Sequence, residues 1–109
     1  MKTLFGTRRT SKYGVLLKGY GCRIRGSSLD RHDADVLYMG FFTTRFVQAS
    51  SRDDAVNEAK RLVAQELMSL LVDQNIESIP LEVEEVFEDP EDFDERAPGS
   101  GYTFFEQQH

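Results

Sequence analysis

The 109-residue chain has one cysteine, two histidines, three prolines and no tryptophan. The single thiol, Cys22, excludes an intramolecular disulfide and suits a reducing cytoplasm. It lies in a strand-like pattern, where a small apolar residue is wanted, so it reads as a packed thiol rather than a nucleophile. His109 is the last residue, so a cysteine–histidine pair would rest on His32 alone. Nucleophile elbows, phosphate loops, paired-cysteine metal sites and His-Glu-x-x-His are all missing. Gly19-Tyr20-Gly21 contains a Gly-x-Gly, but no helical pattern follows it. These absences argue for a non-catalytic protein with no cofactor and no evident small-molecule substrate. No apolar run approaches the ~18 residues of a membrane span, so no membrane association is expected.

What the chain does have is charge, unevenly spread. The net charge is −6. Residues 1–26 carry +7, residues 27–70 carry −2 and residues 71–109 carry −11. A basic arm for nucleic acid is one reading of such asymmetry. The favoured one is that the two ends meet, in the fold or in a dimer, and neutralise each other. Near the start, Thr7-Arg8-Arg9 looks like the opening of a twin-arginine signal. Lys18 cuts off the following apolar stretch, well short of the ~7–15 residues a signal core needs.

The length predicts one domain over residues 1–109. Residues 1–12 are polar and basic and read as a flexible arm. Residues 13–25 alternate imperfectly: Leu16, Tyr20, Cys22 and Ile24 share one parity, Val15 and Leu17 the other. Gly14, Gly19 and Gly21 there suggest a bend or bulge. Residues 36–49 carry the strongest strand signal, with apolar side chains on both faces. Each face therefore needs cover, from a helix, the C-terminal segment or a second protomer. Ser50 or Ser51 caps a helix whose first turn holds Asp53 and Asp54. Its apolar stripe, Val56, Ala59, Val63, Leu67, Leu70 and Leu71, predicts about twenty residues ending near Asn75. Ile79, Leu81 and Val83 alternate with Pro80, Glu82 and Glu84, a third strand whose parity slips at Glu85. Residues 88–100 form an acidic loop. Tyr102-Thr103-Phe104-Phe105 then returns to apolar character and should dock on the sheet. The expected fold class is α+β: a mainly antiparallel sheet of three or four strands in the order β–β–α–β plus this C-terminal aromatic segment. One long amphipathic helix should pack on one face.

Candidate sites are few. Asp30, Asp33 and Asp35 are weak metal candidates in a loop that lacks the glycine and closing glutamate of an EF-hand; a solvated loop is the simpler reading. Phe41, Phe42, Arg45, Phe104 and Phe105 are the candidate interaction residues, for a homodimer or another protein partner. Arg45 sits mid-strand among apolar neighbours, so it must pair with an acid, reach solvent or bind an anion. A catalytic pocket would draw on Arg45, Thr43 and His32. The nucleic-acid alternative uses Lys12, Tyr13, Lys18, Tyr20, Arg23 and Arg25, bases interleaved with aromatics that suit a single strand. The acidic net charge disfavours it.

The run Gly40-Phe41-Phe42-Thr43-Thr44-Arg45-Phe46-Val47, the capped helix with Ala55 and Ala59, and the closing Gly101-Tyr102-Thr103-Phe104-Phe105 resemble a type of small bacterial α+β protein of uncharacterised function. The junction Ser50-Ser51-Arg52-Asp53-Asp54-Ala55 is also similar to that of HicB-like antitoxins. That second resemblance implies a small α+β domain that packs against a toxin partner. The glycine-rich turn and the C-terminal DNA-binding module usual in those chains are missing here. Neither resemblance carries a functional residue over, and the expected function is a small cytoplasmic interaction or regulatory module that self-associates.

Overall fold

The two runs richest in β-branched and aromatic residues pair with each other. The computed structural model describes residues 9–29 and 35–107. In it, β1 (Ser11–Arg25) and β2 (Val36–Ala49) form an antiparallel ribbon, from Ser11 opposite Ala49 to Arg25 opposite Val36. The imperfect alternation of β1 has a structural cause. Tyr20 and Gly21 stand where β2 has only Gly40, and Gly21 takes φ +72°, the left-handed region that favours glycine. One inserted residue exchanges parity. Tyr13, Val15 and Leu17 before the bulge and Cys22 and Ile24 after it are therefore all buried on one face, called here the core face.

β3 (Leu81–Glu88) lies outside β1, and β4 (Thr103–Glu106) lies outside β2. The result is a small α+β domain with a curled four-stranded antiparallel sheet, in the order β3-β1-β2-β4, and one main helix. The parity slip at Glu85 is a second bulge: Val83 pairs with Leu17 and Glu85 with Leu16, which leaves Glu84 extra. A bulge and a glutamate row on an edge strand both discourage pairing with another chain.

Three glycines lie flat in the strands because rings lie over them. Gly14 is opposite Phe87, Gly19 opposite Phe41 and Gly40 opposite Phe105. A β-carbon at these positions would fall within 2.3, 2.1 and 2.4 Å of the facing ring. The sequence reading of Gly14 and Gly19 as bend signals is thus corrected. Only Gly21 marks the bulge, and the other two are seats for aromatic side chains.

Helix α1 (Arg52–Leu67) begins where Ser51 accepts a hydrogen bond from the Asp54 amide at 3.1 Å. Ala55, Ala59, Val63 and Leu67 are buried in the same cluster as the core-face residues of β1 and β2. It spans 16 residues, fewer than the twenty expected. Beyond Met68 the chain is drawn into strand-like pairing with β1: Leu71 bridges Ile24, and the Val72 amide donates to the Arg23 carbonyl at 2.9 Å. Leu70 and Leu71 still pack on the core, but from the turn that closes the helix on the Leu67 carbonyl and the bridge that follows it. The first strand starts at Ser11, so Ser11 and Lys12 of the supposed arm belong to the sheet, and residues 1–8 lie outside the described residues. The acidic loop is also partly structured. Glu88 ends β3, and the short helix α2 (Phe93–Arg96) buries Phe93 edge-on against Phe46, with ring centroids 6.4 Å apart.

Two substitutions test the ring seats. Gly19→Ala should destabilise by about 1–3 kcal/mol, because Phe41 is fully buried and has nowhere to go. Gly14→Ala should cost less, because half-buried Phe87 can swing outward. Thermal denaturation followed by circular dichroism checks the order; on propensity alone both would be neutral or stabilising.

Candidate binding face

A buried cation joins three parts of the chain. Arg45 points to the core face and is 0% exposed. Burial of a guanidinium requires a full set of acceptors. Its Nη2 donates to Glu66 Oε1 at 2.6 Å, and Nη1 donates to Thr43 Oγ1 at 2.6 Å and to the Thr44 carbonyl at 2.8 Å. The Tyr102 ring lies 5.2 Å from the guanidinium carbon, and its hydroxyl donates to the same Glu66 oxygen at 3.0 Å. Thr43 Oγ1 in turn donates to the Gly101 carbonyl at 2.6 Å. Strand β2, helix α1 and the segment leading into β4 are thus tied through one carboxylate, which is itself 43% exposed. Burial, then the Glu66 charge, pushes the Tyr102 hydroxyl well above its usual range. Burial also raises the Cys22 thiol from 9.0 to about 11.

The opposite side of the sheet, the second face, is different. Cross-strand pairing puts Lys12, Leu16 and Lys18 there, opposite Gln48, Thr44 and Phe42. Past the bulge the parity exchange adds Arg23 and Arg25, opposite Tyr38 and Val36. Phe46, 4% exposed, is covered by Phe87, Phe93 and the Arg96 guanidinium, 4.7 Å from its ring. In the middle, Leu16, Lys18, Tyr20, Phe42, Thr44 and Phe105 are each only half-buried. The Lys18 ammonium sits 4.8, 5.1 and 5.8 Å from the rings of Tyr20, Phe42 and Phe105. Its aliphatic stem thereby covers apolar surface while the charge stays wet. Its pKa is raised, first by a hydrogen bond with Tyr20 and then by the charges of Tyr20, Glu84 and Glu82.

Two depressions flank this cluster. A groove of about 820 Å³ runs between Leu16, Phe42, Thr44 and Phe46 and the backbone of residues 97–101. A smaller hollow of about 420 Å³ at the other end is lined by Arg23, Val36, Leu37, Tyr38 and Gln74. The acids keep to the margin: Glu82 faces Lys18 from β3 and accepts from the Tyr20 hydroxyl at 3.1 Å, and Asp94 pairs with Lys12 at 3.1 Å. The basic and acidic ends of the chain therefore do meet within the fold.

The sequence-derived candidates separate accordingly. Of the nucleic-acid set, Lys12, Lys18, Tyr20, Arg23 and Arg25 share the second face. Tyr13 does not: it is 5% exposed on the core face, because it precedes the bulge at odd parity. Of the interaction set, Phe42 and Phe105 lie on the second face. Phe41 is not surface at all, being fully buried under Tyr102 and Phe104 at centroid distances of 5.2 and 6.1 Å. Phe104 is half-buried beside it, and Arg45 is internal. Arg45 and Thr43 are bound to each other, Thr43 also borders the larger groove while Arg45 is enclosed, and His32 lies outside the described residues. So do Asp30 and Asp33. Asp35 is exposed, and its carbonyl accepts from the Gly26 amide at 2.8 Å. Among the described residues no group of three potential metal ligands forms, and no helix is long and apolar enough to cross a membrane. Sequence reasoning missed Tyr38 and Glu66. Tyr38 had a usable signal, since it shares parity with Phe42. Glu66 had none, because its pairing with Arg45 spans 21 residues. Comparison with family models, with curated proteins and with solved structures finds no match for the chain.

The polar core makes two predictions. Glu66→Ala should cost about 2–4 kcal/mol in urea denaturation, because it strands a buried guanidinium, whereas Arg45→Met, which keeps the volume, should cost less. Raised thiol and hydroxyl values mean that the folded state holds protons the unfolded chain has released. Stability should therefore fall as pH rises above about 9, and Cys22→Ala should flatten the part of the decline between 9 and about 11.

Proposed function

We propose that the chain is a non-catalytic binding module whose working surface is the second face of the sheet. In this reading α1 packs on the core face alone and serves as scaffold. One observation carries it: Leu16, Lys18, Tyr20, Phe42 and Phe105 lie together on the second face and are each only half-buried. Apolar surface gathered in one place and rimmed by charge marks interaction sites. The two depressions beside the cluster give that surface relief, which a ligand needs for a specific fit. The resemblance to HicB-like antitoxins agrees in class, a small domain that docks onto a partner, and self-association through this face is one form of the reading.

A photo-crosslinking amino acid in place of Thr44, in the full chain expressed in cells, should give a discrete covalent adduct on illumination. The same group in place of Asn57, exposed on α1, should give none. Adducts from both positions alike, or from neither, would remove the basis for the proposal.

A further inference from the structure

We infer that the second face takes a single-stranded nucleic acid; this rests on the binding-face reading and names its partner class. The argument is the composition of the face strand by strand. β1 contributes Lys18, Tyr20, Arg23 and Arg25 to it, β2 contributes Val36, Tyr38, Phe42 and Thr44, and β4 contributes Thr103 and Phe105. None of these three strands places an acid there. The carboxylates that offset Lys18, Glu82 and Glu84, stand on β3 at the edge of the sheet, as does Glu85 opposite Leu16. The remaining acids of the described chain lie chiefly on α1 and in residues 88–95. Among the described residues, a chain of net charge −6 thus keeps one area where the cations Lys18 and Arg23 alternate with rings, with Glu82 and its neighbours at the β3 margin. Phosphates need the first and unpaired bases the second.

The geometry also selects among partners. A duplex hides its base faces, so rings on an open sheet gain nothing from it. A second copy laid face to face about an axis across the strands would set Lys18, Arg23 and Arg25 against the same residues, which like-charge repulsion disfavours. A single strand can lie along the ribbon from the Arg23–Tyr38 hollow, over Tyr20 and Phe105, to the Phe42–Phe46 groove. It would displace the Lys18 ammonium from the rings towards a phosphate. The bulge at Gly21 is what makes the track continuous, because without the parity exchange Arg23 and Arg25 would point to the other face.

The test is fluorescence anisotropy with the full chain and a labelled mixed-sequence single strand of about 12 nucleotides. Saturable binding is expected at about 50 mM salt. Lys18 and Arg23, at about 0.7 each for a single strand, give a log–log salt slope near −1.4, so affinity should drop about sevenfold by 200 mM. Arg23→Ala, at an exposed position, should halve that slope. Phe42→Leu keeps the apolar volume but removes the stacking surface, and should weaken binding about tenfold with an unchanged circular dichroism spectrum. No saturable binding at about 50 mM salt, or equal affinity in both variants, overturns the inference. A concentration-dependent dimer in sedimentation, dispersed by Phe42→Leu, with no oligonucleotide bound, also overturns it. That result would make a second copy the occupant and leave the binding-face reading standing.

Discussion

A long two-stranded ribbon with rings on both faces has to be sheltered from water on both sides, and the rest of this fold follows from that constraint. The 15 residues of β1 extend about 50 Å, whereas the 16 residues of α1 cover about 24 Å. The helix cannot roof even one face by itself. The chain after it, from Leu70 to Ile76, continues the cover on the core face as extended and turned segments. Among the described residues, the other face gets no such roof. It relies on α2 at one end and, in the middle, on rings seated over glycine and lysine or arginine stems laid over rings.

Those devices explain the placing of residues that otherwise look unfavourable. Glycine in a strand interior is costly for want of a side chain to pack. Here Gly14, Gly19 and Gly40 each accept the ring of the residue opposite, so that packing is supplied by the neighbouring strand. Arg45 in an apolar core is costly for want of water. Its two side-chain acceptors and one carbonyl come from β2 and α1, and Tyr102 closes the site from the C-terminal segment. The carboxylate of Glu66 stays partly wet, which lowers its own desolvation cost. The C-terminal segment is therefore held by a polar latch as well as by its rings, and it sends Phe104 to the core face and Phe105 to the second.

The charge gradient along the chain has a matching logic. Pairing β1 with both β2 and β3 puts the basic strand between an aromatic neighbour and an acidic one. Among the described residues, glutamates stand beside Lys18 on the β3 side of β1. On the β2 side Lys18 faces rings, and it is this asymmetry, rather than the net charge, that shapes the proposed binding surface. The glutamates and the bulge of β3 then serve a second purpose, keeping the outer edge of the sheet from pairing with other chains.

Local patterns were enough to reveal the α+β class, the bounds of β2, a serine cap at Ser50 or Ser51, the slip near Glu85 and the return of the aromatic tail to the sheet. Each of these depends on residues within a few positions of one another: alternation, a cap three residues from its donor, a break in parity. The sequence alone also suggested that Arg45 had to pair with an acid, reach solvent or bind an anion. Only the tertiary structure decided which partner, which glycines were seats and which was a bulge, where the helix stopped, and that Tyr13 and Phe41 are interior while Arg23 and Arg25 share a face with Lys18. These outcomes depend on register and on contacts across many tens of residues. A single inserted residue at Gly21 reverses every assignment beyond it, and a rule that reads neighbours along the chain has no means of knowing what stands opposite.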